Sequence, residues 1–395
     1  MNRWLLPENI ADILPSEARK IEDLRRILLD RFQAYGYELV MPPMLEYLDS
    51  LLTGSGQDLN LKTFKLVDQI SGRTLGLRAD MTPQVARIDA HLLNRQGVTR
   101  LCYAGSILHT RAAAGSSSRE QLQLGAEIYG HAGWEADLEI QALLNEVLNL
   151  SQVGLITLDM SHAGLLTAIL GDFSPKPESL DALYSALQTK DLPGLSLALE
   201  DWPADVKSAV LALANLSGSP EKVLAQARQN LPKTVAVKAA LDELERLCAA
   251  VAALPNAPQL NLDLSDLKGY QYHSGVMFAA YVDQLPQPIA RGGRYDHVGQ
   301  AFGRPRPATG FSLDLLTLAN LSPLNPRKLA IQAPWIVDAG LDKAIATLRG
   351  NGEVVIQVPA GTVIEAAEYD CDRELVKQGL PIVIVNPSAP VGPRG

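Results

Sequence analysis

The hydrophobic positions of this chain predict a framework of amphipathic helices and hairpin strands. Apolar residues recur at steps of three and four through residues 17–34, the spacing of one helix face, and Gly36 follows where a helix cap is common. This face consists of Ile21, Leu24, Leu28 and Phe32. A second helix is predicted to begin at Thr82, which Pro83 follows at the first helical position. Its inward residues would be Val85, Ile88 and Leu92.

Alternating apolar and polar positions predict strands on both sides of a long helical stretch. The predicted strands are 37–41, 63–67, 74–77, 100–109, 121–129, 155–160, 259–264, 270–282 and 288–291. A helix is predicted at 135–150, and a strand followed by a helix at 308–321. Because the strands come in hairpins, the sheet should be largely antiparallel, which assigns the chain to the α+β class.

The pattern also divides the chain. From residue 163 to residue 255, Ala- and Leu-rich helical segments replace the strands, which indicates a helical insert. Three prolines in residues 322–334 predict a linker. Beyond it, strands are predicted at 335–337, 354–358 and 382–385, with helices at 341–349 and 372–379. We therefore expect a core over residues 1–322, with the insert at about 163–255, and a small C-terminal α/β domain over 323–395.

Length and charge narrow the classes of protein that fit this pattern. A chain of 395 residues is too long for one hydrophobic core. Its 35 Lys and Arg against 44 Asp and Glu give a net charge of −9, which disfavours nucleic acid and anionic membranes as partners. The three cysteines form no CxxC pair, so neither a metal site nor a disulfide framework is expected. Neither a signal peptide nor an apolar run of ~20 residues is evident, and we expect a cytoplasmic protein.

A predicted strand end and helix start meet at residues 77–82, where Arg78, Asp80 and Thr82 lie close in sequence. A guanidinium, a carboxylate and a hydroxyl there could hold a small zwitterion, with Asp80 binding its ammonium group. The alternative is that Asp80 and Thr82 only cap the helix.

A second polar group lies on the strand predicted at 121–129. Gln123, Gly125 and Glu127 share one strand face by period two, and the glycine leaves room between the two longer side chains. They could form the floor of a polar site. The alternative is an ordinary amphipathic strand with a solvated face.

Two more polar segments lie near the end of the predicted core. Residues 268–275 (KGYQYHSG) place Tyr272 and His273 between glycines in a chain that is only 5% aromatic. Residues 291–296 (RGGRYD) combine arginines, which suit carboxylate or phosphate, with glycines that allow close approach of the backbone. The respective alternatives are core packing with a buried histidine and a tight turn with surface charges. From pattern alone, the four segments indicate one polar pocket.

Taken in order, these segments resemble the catalytic core of the class II aminoacyl-tRNA synthetases, histidyl-tRNA synthetase in particular, over about residues 5–320. Residues 35–46 resemble the first class motif, which forms the family's dimer interface, and residues 100–127 resemble the second. Residues 77–82 resemble the segment that binds the amino group of histidine. The two histidine signatures of the family correspond to 268–275 and 291–296, and the start of the third class motif to 308–312.

Departures from the synthetase pattern fall where that family binds ATP. His109 stands at the arginine of the second motif, and Leu316 and Thr317 stand at the Glu-Arg pair of the third. Lys268 replaces the arginine of the first histidine signature. Because arginines on the phosphates provide much of the catalysis in this chemistry, ATP-dependent activation of an amino acid is not expected. No catalytic residue, cofactor or metal is predicted.

The resemblance implies that the amino-acid end of the pocket is retained. The residues that it assigns to histidine binding are Asp80, Thr82, Gln123, Glu127, Tyr272, His273 and Tyr295. Within this set, Asp80 replaces a glutamate of the family and His273 replaces a tyrosine. An anion site is a further prediction, and the arginines predicted for it are Arg78, Arg111, Arg119 and Arg294. The alternative for Arg111 and Arg119 is that both are merely solvated.

This combination resembles the ATP phosphoribosyltransferase regulatory subunits, with matches such as LRADMTPQVARI at 77–88 and GYQYHSGVMF at 269–278. The resemblance implies a non-catalytic, allosteric subunit for the first step of L-histidine biosynthesis. It would join a short catalytic subunit, a glycosyltransferase, in a hetero-octamer of four plus four chains. There it would raise the activity of that subunit and mediate feedback inhibition by histidine. A self-dimer through the synthetase-like core is also implied.

Alternatives to this function remain at the level of sequence. One is an active histidyl-tRNA synthetase-like enzyme, and another is an amino-acid-binding paralogue with a different partner. Residues 325–395 carry seven Lys and Arg against eight Asp and Glu, so tRNA binding is not expected. Histidine binding between the two types of subunit is a further alternative to binding in the synthetase-like pocket.

Overall fold

The computed structural model describes residues 4–54, 57–112, 118–267, 272–324, 329–362, 371–377 and 382–385. The chain divides into two compact units, Met1–Leu324 and Asn325–Gly395. No helix among the described residues is both long and apolar enough to cross a bilayer.

The first unit is built on strands that pair mainly with their neighbours in a mixed sheet. Its strands are β1 (Glu38–Leu39), β2 (Leu45–Tyr47), β3 (Lys65–Val67), β4 (Thr74–Leu77), β5 (Thr99–Leu108), β6 (Glu120–Tyr129), β7 (Ile156–His162), β8 (Ser217–Gly218), β9 (Gln259–Asp263), β10 (Val276–Val282), β11 (Ala290–Arg294) and β12 (Ala308–Asp314).

Helices surround this sheet and fill the insert. Those of the first unit are α1 (Pro15–Ala34), α2 (Leu48–Leu51), α3 (Gln57–Lys62), α4 (Thr82–Arg87), α5 (Trp134–Leu150), α6 (Gly164–Leu170), α7 (Pro177–Thr189), α8 (Leu192–Ala198), α9 (Ala204–Ala214), α10 (Pro220–Asn230), α11 (Val235–Ala252) and α12 (Leu315–Leu321). A π-helix at Ile88–Leu93 continues α4, and a 3-10 helix lies at Val298–Phe302.

The large sheet has nine strands in the described part of the chain, in the order β1-β5-β6-β12-β11-β10-β7-β9-β8. The pairs β1–β5 and β7–β9 are parallel, and the other pairs are antiparallel. The largely antiparallel sheet of an α+β fold is therefore confirmed. The predicted hairpin at 63–77 is also confirmed, as β3 and β4 of a separate three-stranded sheet in the order β2-β4-β3.

Two hydrophobic clusters lie on the two faces of the large sheet. The first cluster contains the apolar face of α1 as predicted, together with side chains of α5 and of the insert helices. The second cluster packs α4 and the Val298–Phe302 helix against the opposite face, around Tyr103 of β5 and Tyr129 of β6. The polar site described below lies on the face of this second cluster.

The helical insert is confirmed, because α6 to α11 occupy residues 164–252 and their apolar faces join the first cluster. The short strand β8 was not predicted. It pairs with β9 over two residues, Ser217 with Asp263 and Gly218 with Leu262, and so fastens the insert to the edge of the large sheet.

The second unit contains β13 (Ala330–Pro334), α13 (Ala339–Gly350), β14 (Val354–Val358), β15 (Cys371–Lys377) and β16 (Ile382–Val385). Its sheet runs β14-β13-β15-β16, with β13 parallel to both of its neighbours. An apolar cluster around Ile331, Leu341 and Leu375 forms its core. The unit has the α/β character that the sequence predicts.

Several predictions for the second unit are wrong. The helix predicted at 372–379 is strand β15 where the structure describes it, because pairing with β13 and burial of Leu375 override the helix propensity of its charged residues. The strand predicted at 335–337 lies earlier, at Ala330–Pro334, and Trp335 and Val337 are exposed. Strand β13 therefore occupies the end of the predicted linker.

Two predictions for the core also need correction. Leu92 was predicted to face inward but is 71% exposed. The chain changes from α to π geometry after Arg87, and the wider turn rotates Leu92 away from the face set by Val85. The strand predicted from residue 270 begins at Val276, and residues 268–271, Lys268 among them, lie outside the described residues.

Candidate functional site

The site is built on a row of β6 and on glycines of the neighbouring strands. Gln123, Gly125 and Glu127 face the second hydrophobic cluster, as their period-two spacing predicts. Glu127 pairs in register with Gly310 of β12, which pairs in turn with Gly293 of β11. A Cβ atom on Gly310 would overlap Oε2 of Glu127, so this carboxylate lies directly over a glycine.

The hydrogen bonds that the described residues donate to the Glu127 carboxylate go to one of its oxygens, Oε1. Its side chain is 1% exposed, and Oε1 accepts hydrogen bonds from the hydroxyls of Tyr103 at 3.0 Å and Thr82 at 3.4 Å. Its Oε2 is buried and has no hydrogen-bond partner among the residues that the structure describes. Burial raises the pKa of Glu127 well above its ordinary value, and the nearby charge of Asp80 adds to this shift.

Asp80 and Gln123 lock the start of α4 to β6. The Nε2 atom of Gln123 donates to Oδ1 of Asp80 at 2.8 Å, and the backbone N–H of Met81 donates to Oε1 of Gln123 at 2.8 Å. Oδ1 of Asp80 also accepts from the backbone N–H of Thr82 at 3.0 Å. Asp80 therefore supports the helix start, while the Thr82 hydroxyl points to Glu127 and does not cap the helix.

Three aromatic side chains of the two histidine signatures meet at this site. The rings of Tyr272 and Tyr295 lie with their centroids 4.9 Å apart, and the ring of His273 lies edge-on to both, at 5.6 Å and 6.4 Å. The hydroxyls of Tyr272 and Tyr295 are buried, and neither has a hydrogen-bond partner within the described ranges of the chain. Burial raises the pKa of Tyr272 well above its ordinary value, with Glu127 as the next contribution.

Two tyrosines of the site were not among the predicted ligands. Tyr129 continues the same row of β6 two residues beyond Glu127, and its hydroxyl is buried with no hydrogen-bond partner in the described part of the chain. Extending the period-two pattern by one step would have found it. Tyr103 lies across Gly125 on β5, a position that only the register of the hairpin reveals.

Two arginines predicted to bind an anion are buried and donate to protein acceptors. Arg78 donates to the carbonyl oxygens of Ser106 at 2.7 Å and Pro42 at 2.6 Å. Arg294 lies under α5, where Nη2 and Nε donate to Oδ2 of Asp137 at 2.7 Å and 3.0 Å. These contacts favour a structural role for both side chains, because their donors already have acceptors.

The other two arginines of that prediction flank residues 113–117, which lie outside the described residues. Arg119 donates to the carbonyl oxygen of His109 at 3.2 Å, and its guanidinium lies 4.7 Å from the ring centroid of Phe64. Arg111 is exposed. The structure therefore does not bring the four arginines together.

The positions that correspond to the ATP site of the synthetases are occupied by internal contacts. The Nε2 atom of His109 lies 2.9 Å from the carbonyl oxygen of Ala79, and burial lowers the pKa of this imidazole. Leu316 and Thr317 form the first turn of α12, and their backbone N–H groups donate to the carboxylate of Asp314. That carboxylate also accepts from the Thr317 hydroxyl at 2.6 Å.

The described residues contain no cluster of three or more His, Cys, Asp or Glu side chains that could hold a metal ion. The site instead offers two carboxylates, an amide, a hydroxyl and several phenols. Such groups suit a small ligand that carries hydrogen-bond donors and a positive charge.

Comparison with known proteins agrees with this geometry. A family model described as histidyl-tRNA synthetase matches residues 9–318, and one described as the ATP phosphoribosyltransferase subunit HisZ C-terminal domain matches residues 327–380. The ATP phosphoribosyltransferase regulatory subunit of Polynucleobacter necessarius is 67% identical over 379 residues, which are 96% of this chain and 98% of that protein.

Solved structures give the same fold. An ATP phosphoribosyltransferase regulatory subunit/histidyl-tRNA synthetase from Bacillus halodurans C matches with a TM-score of 0.80 and 26% identity, over 93% of this chain and 97% of that one. The histidyl-tRNA synthetase of Nostoc sp. PCC 7120 matches in fold, with a TM-score of 0.76 and 19% identity over 95% and 92% of the two chains. The class II synthetase-like core is thereby confirmed, and this chain belongs to the family of ATP phosphoribosyltransferase regulatory subunits.

Proposed function

We propose that this chain is a non-catalytic regulatory subunit of ATP phosphoribosyltransferase and that it binds histidine in the pocket around Glu127. The observation that carries this proposal is a group of polar atoms that are buried and have no hydrogen-bond partner among the described residues: Oε2 of Glu127 and the hydroxyls of Tyr129, Tyr272 and Tyr295. An unpaired buried polar group costs about 1–3 kcal/mol. In the free protein these atoms have already lost their bonds to water. A ligand that bonds them therefore gains affinity, because it does not have to displace that water.

Histidine fits the charges of this pocket. Its ammonium group would be bound near Asp80, where Gln123 fixes one carboxylate oxygen, and near the Thr82 hydroxyl. One nitrogen of its imidazole would donate to Oε2 of Glu127, and the other would bond the hydroxyl of Tyr272 or Tyr295. His273, which lies edge-on to both tyrosine rings, would close the aromatic side of the site.

The contacts at the nucleotide end support a role without amino-acid activation. Leu316 and Thr317 bring no positive charge to the place where the synthetases clamp ATP, and the adjoining carboxylate of Asp314 would repel phosphates. Burial favours the neutral form of His109. The alternative of an active synthetase-like enzyme has no comparable support.

The partner in this proposal is a short catalytic ATP phosphoribosyltransferase subunit, which carries out the glycosyl transfer itself. We propose a hetero-octamer of four plus four chains, with self-dimers formed through the synthetase-like core. Exposed apolar side chains of the first-motif region support the dimer: Met41, Leu45 and Tyr47 line an open groove there with Leu92. The mass of the purified assembly, measured by light scattering, tests this stoichiometry.

Other parts of the proposal concern the second unit and the cell compartment. We propose a core over residues 1–322 and a C-terminal domain over 323–395 that does not bind tRNA, which the slightly acidic balance of residues 325–395 supports. Free thiols at Cys102 and Cys248 support a reducing compartment, the cytoplasm. A filter-binding titration with tRNA tests the first point.

The decisive experiment mixes the full chain with a short catalytic subunit and measures the transferase rate with and without histidine. We expect a higher rate with the chain present, and inhibition by histidine that the double variant Glu127→Gln/Tyr272→Phe removes. The control is Glu120→Gln/Tyr281→Phe, which makes the same chemical changes away from the pocket. If the Glu127/Tyr272 variant keeps full inhibition by histidine, the effector binds elsewhere, and the interface between the subunits becomes the favoured site.

A further inference from the structure

Tyr103 makes the contacts that fix the orientation of the Glu127 carboxylate. It lies on β5 and is fully buried, and its hydroxyl donates to Oε1 of Glu127 at 3.0 Å. The same hydroxyl lies 3.1 Å from Oγ1 of Thr82. One phenol thus joins β5, β6 and the start of α4 beside the Glu127 carboxylate.

The absence of a side chain at Gly125 leaves room for the ring of Tyr103. Tyr103 pairs in register with Gly125 of β6, and a Cβ atom on Gly125 would overlap Cζ and Oη of the tyrosine. The ring therefore passes over the glycine to reach Glu127, two residues further along β6. Any larger residue at position 125 would displace the phenol from the carboxylate.

The result is a carboxylate with two unequal oxygens. Oε1 accepts from two protein donors, whereas Oε2, over Gly310, is buried and has no donor in the part of the chain that the structure describes. We propose that Tyr103 is a positioning residue for the ligand site: it holds Glu127 so that Oε2 alone faces the ligand. This inference rests on the proposed histidine pocket and goes beyond it, because Tyr103 itself is not a ligand.

A purely structural tyrosine would affect folding but not the titration of the site. Among the described residues, the ionisable groups that interact with the charge of Glu127 include Asp80, Tyr103, Tyr129, Tyr272 and Tyr37, and the imidazole of His273 lies beside the ring of Tyr272. Removing the Tyr103 hydroxyl removes a donor that favours the ionised form of Glu127. The pH below which histidine binding weakens should then move upward, a change that a packing defect alone does not produce.

A matched control exists in the same fold. Tyr37 is another buried tyrosine whose hydroxyl donates to a glutamate, Glu139, at 3.1 Å. It belongs to the first hydrophobic cluster, whereas Tyr103 belongs to the second. Tyr37→Phe therefore removes the same kind of bond and leaves the hydrogen bonds of Glu127 in place.

The test measures histidine binding to the full chain by isothermal titration calorimetry from pH 5.5 to pH 8.5, for the unmodified chain, Tyr103→Phe, Tyr37→Phe and Glu127→Gln. We expect Tyr103→Phe to weaken binding about tenfold and to move the pH profile upward, and Tyr37→Phe to change neither. Phenylalanine retains the ring, and thermal unfolding of each variant reports its folding.

Two outcomes would overturn the proposal in distinguishable ways. If Glu127→Gln weakens binding while Tyr103→Phe binds with the affinity and pH profile of the unmodified chain, Tyr103 does not position the carboxylate and the histidine pocket stands. If the unmodified chain does not bind histidine, or Glu127→Gln binds it equally well, the pocket proposal fails and the positioning role fails with it.

Discussion

The two ends of the synthetase-like site differ in how their polar groups are satisfied. At the amino-acid end, four buried polar atoms have no hydrogen-bond partner among the described residues: Oε2 of Glu127 and the hydroxyls of Tyr129, Tyr272 and Tyr295. At the nucleotide end, the carboxylate of Asp314 caps α12 and His109 contacts the Ala79 carbonyl. Both ends are built on the same strands, β6 and β12.

This difference supports the proposal that the ligand binds at the amino-acid end of the site. Unpaired buried groups cost free energy, so they mark a place where something else supplies the partners. Groups that cap a helix or bond the backbone contribute to the fold whether or not a ligand is present. The comparison therefore predicts that substitutions at the first end change binding, and that substitutions at the second end change stability.

The largest effect should come from filling the space over which Glu127 lies. Gly310→Ala would place a Cβ atom on Oε2 of Glu127, so the carboxylate has to move. We expect histidine binding to weaken about 100-fold and the free energy of unfolding to fall by about 1–3 kcal/mol. Calorimetry and urea unfolding measure the two effects. Gly350→Ala, where a Cβ atom meets nothing within 4 Å, is the control; unchanged binding in Gly310→Ala would contradict the site geometry.

At the nucleotide end, Asp314→Ala should lower the stability of the fold and leave histidine binding almost unchanged. It removes the acceptor of the backbone N–H groups of Leu316, Thr317 and Leu122, which costs about 1–2 kcal/mol of stability. Histidine affinity should stay within about twofold, because Asp314 makes none of the contacts assigned to the ligand. If Asp314→Ala weakens histidine binding by more than its loss of stability explains, this prediction is wrong. Asp314 would then belong to the same binding site as Glu127.

A smaller effect concerns the pH dependence of stability. Burial raises the folded-state pKa of Glu127 above the value it has when unfolded. Between those two values the folded state binds the proton more tightly, so this group makes the free energy of unfolding fall as pH rises. Glu127→Gln should remove that slope. The free energy of unfolding of this variant, relative to that of the unmodified chain, should therefore be highest at the upper end of the pH range.

Urea unfolding of the free chain between pH 5 and pH 8.5 measures this slope. Glu120→Gln on the same strand serves as the control, because Glu120 is not enclosed by the pocket. If the free energy of unfolding has the same pH dependence in Glu127→Gln and in the unmodified chain, folding does not raise the pKa of Glu127.

The last prediction is that a double substitution at the nucleotide end has no effect on amino-acid activation. Leu316→Glu/Thr317→Arg restores the residue types of the synthetase pair, yet we expect no histidine-dependent exchange of pyrophosphate with ATP in this variant or in the unmodified chain. Position 109 still carries a histidine bonded to the backbone, and Asp314 still adds negative charge nearby. Exchange activity in the unmodified chain would refute the non-catalytic proposal.

Local patterns in the sequence were sufficient for much of the core. The face of α1, the hairpin of β3 and β4, the strand row of Gln123 to Glu127 and the insert helices follow from spacing that neighbours along the chain decide. The errors fall where longer-range pairing decides. Residues of β15 have a helical composition, but β13 provides a partner edge and the strand forms.

The sequence by itself determined the fold class, the family resemblance and the residue types of the pocket, because these depend on periodicity and on the order of motifs. Only the tertiary structure decided how the groups are used. It assigns Arg294 to Asp137 under α5, and it passes Tyr103 over Gly125 to one oxygen of Glu127. Which hydrogen bonds are satisfied depends on strand register and on the faces of a sheet, and these bring together residues that lie far apart in the chain.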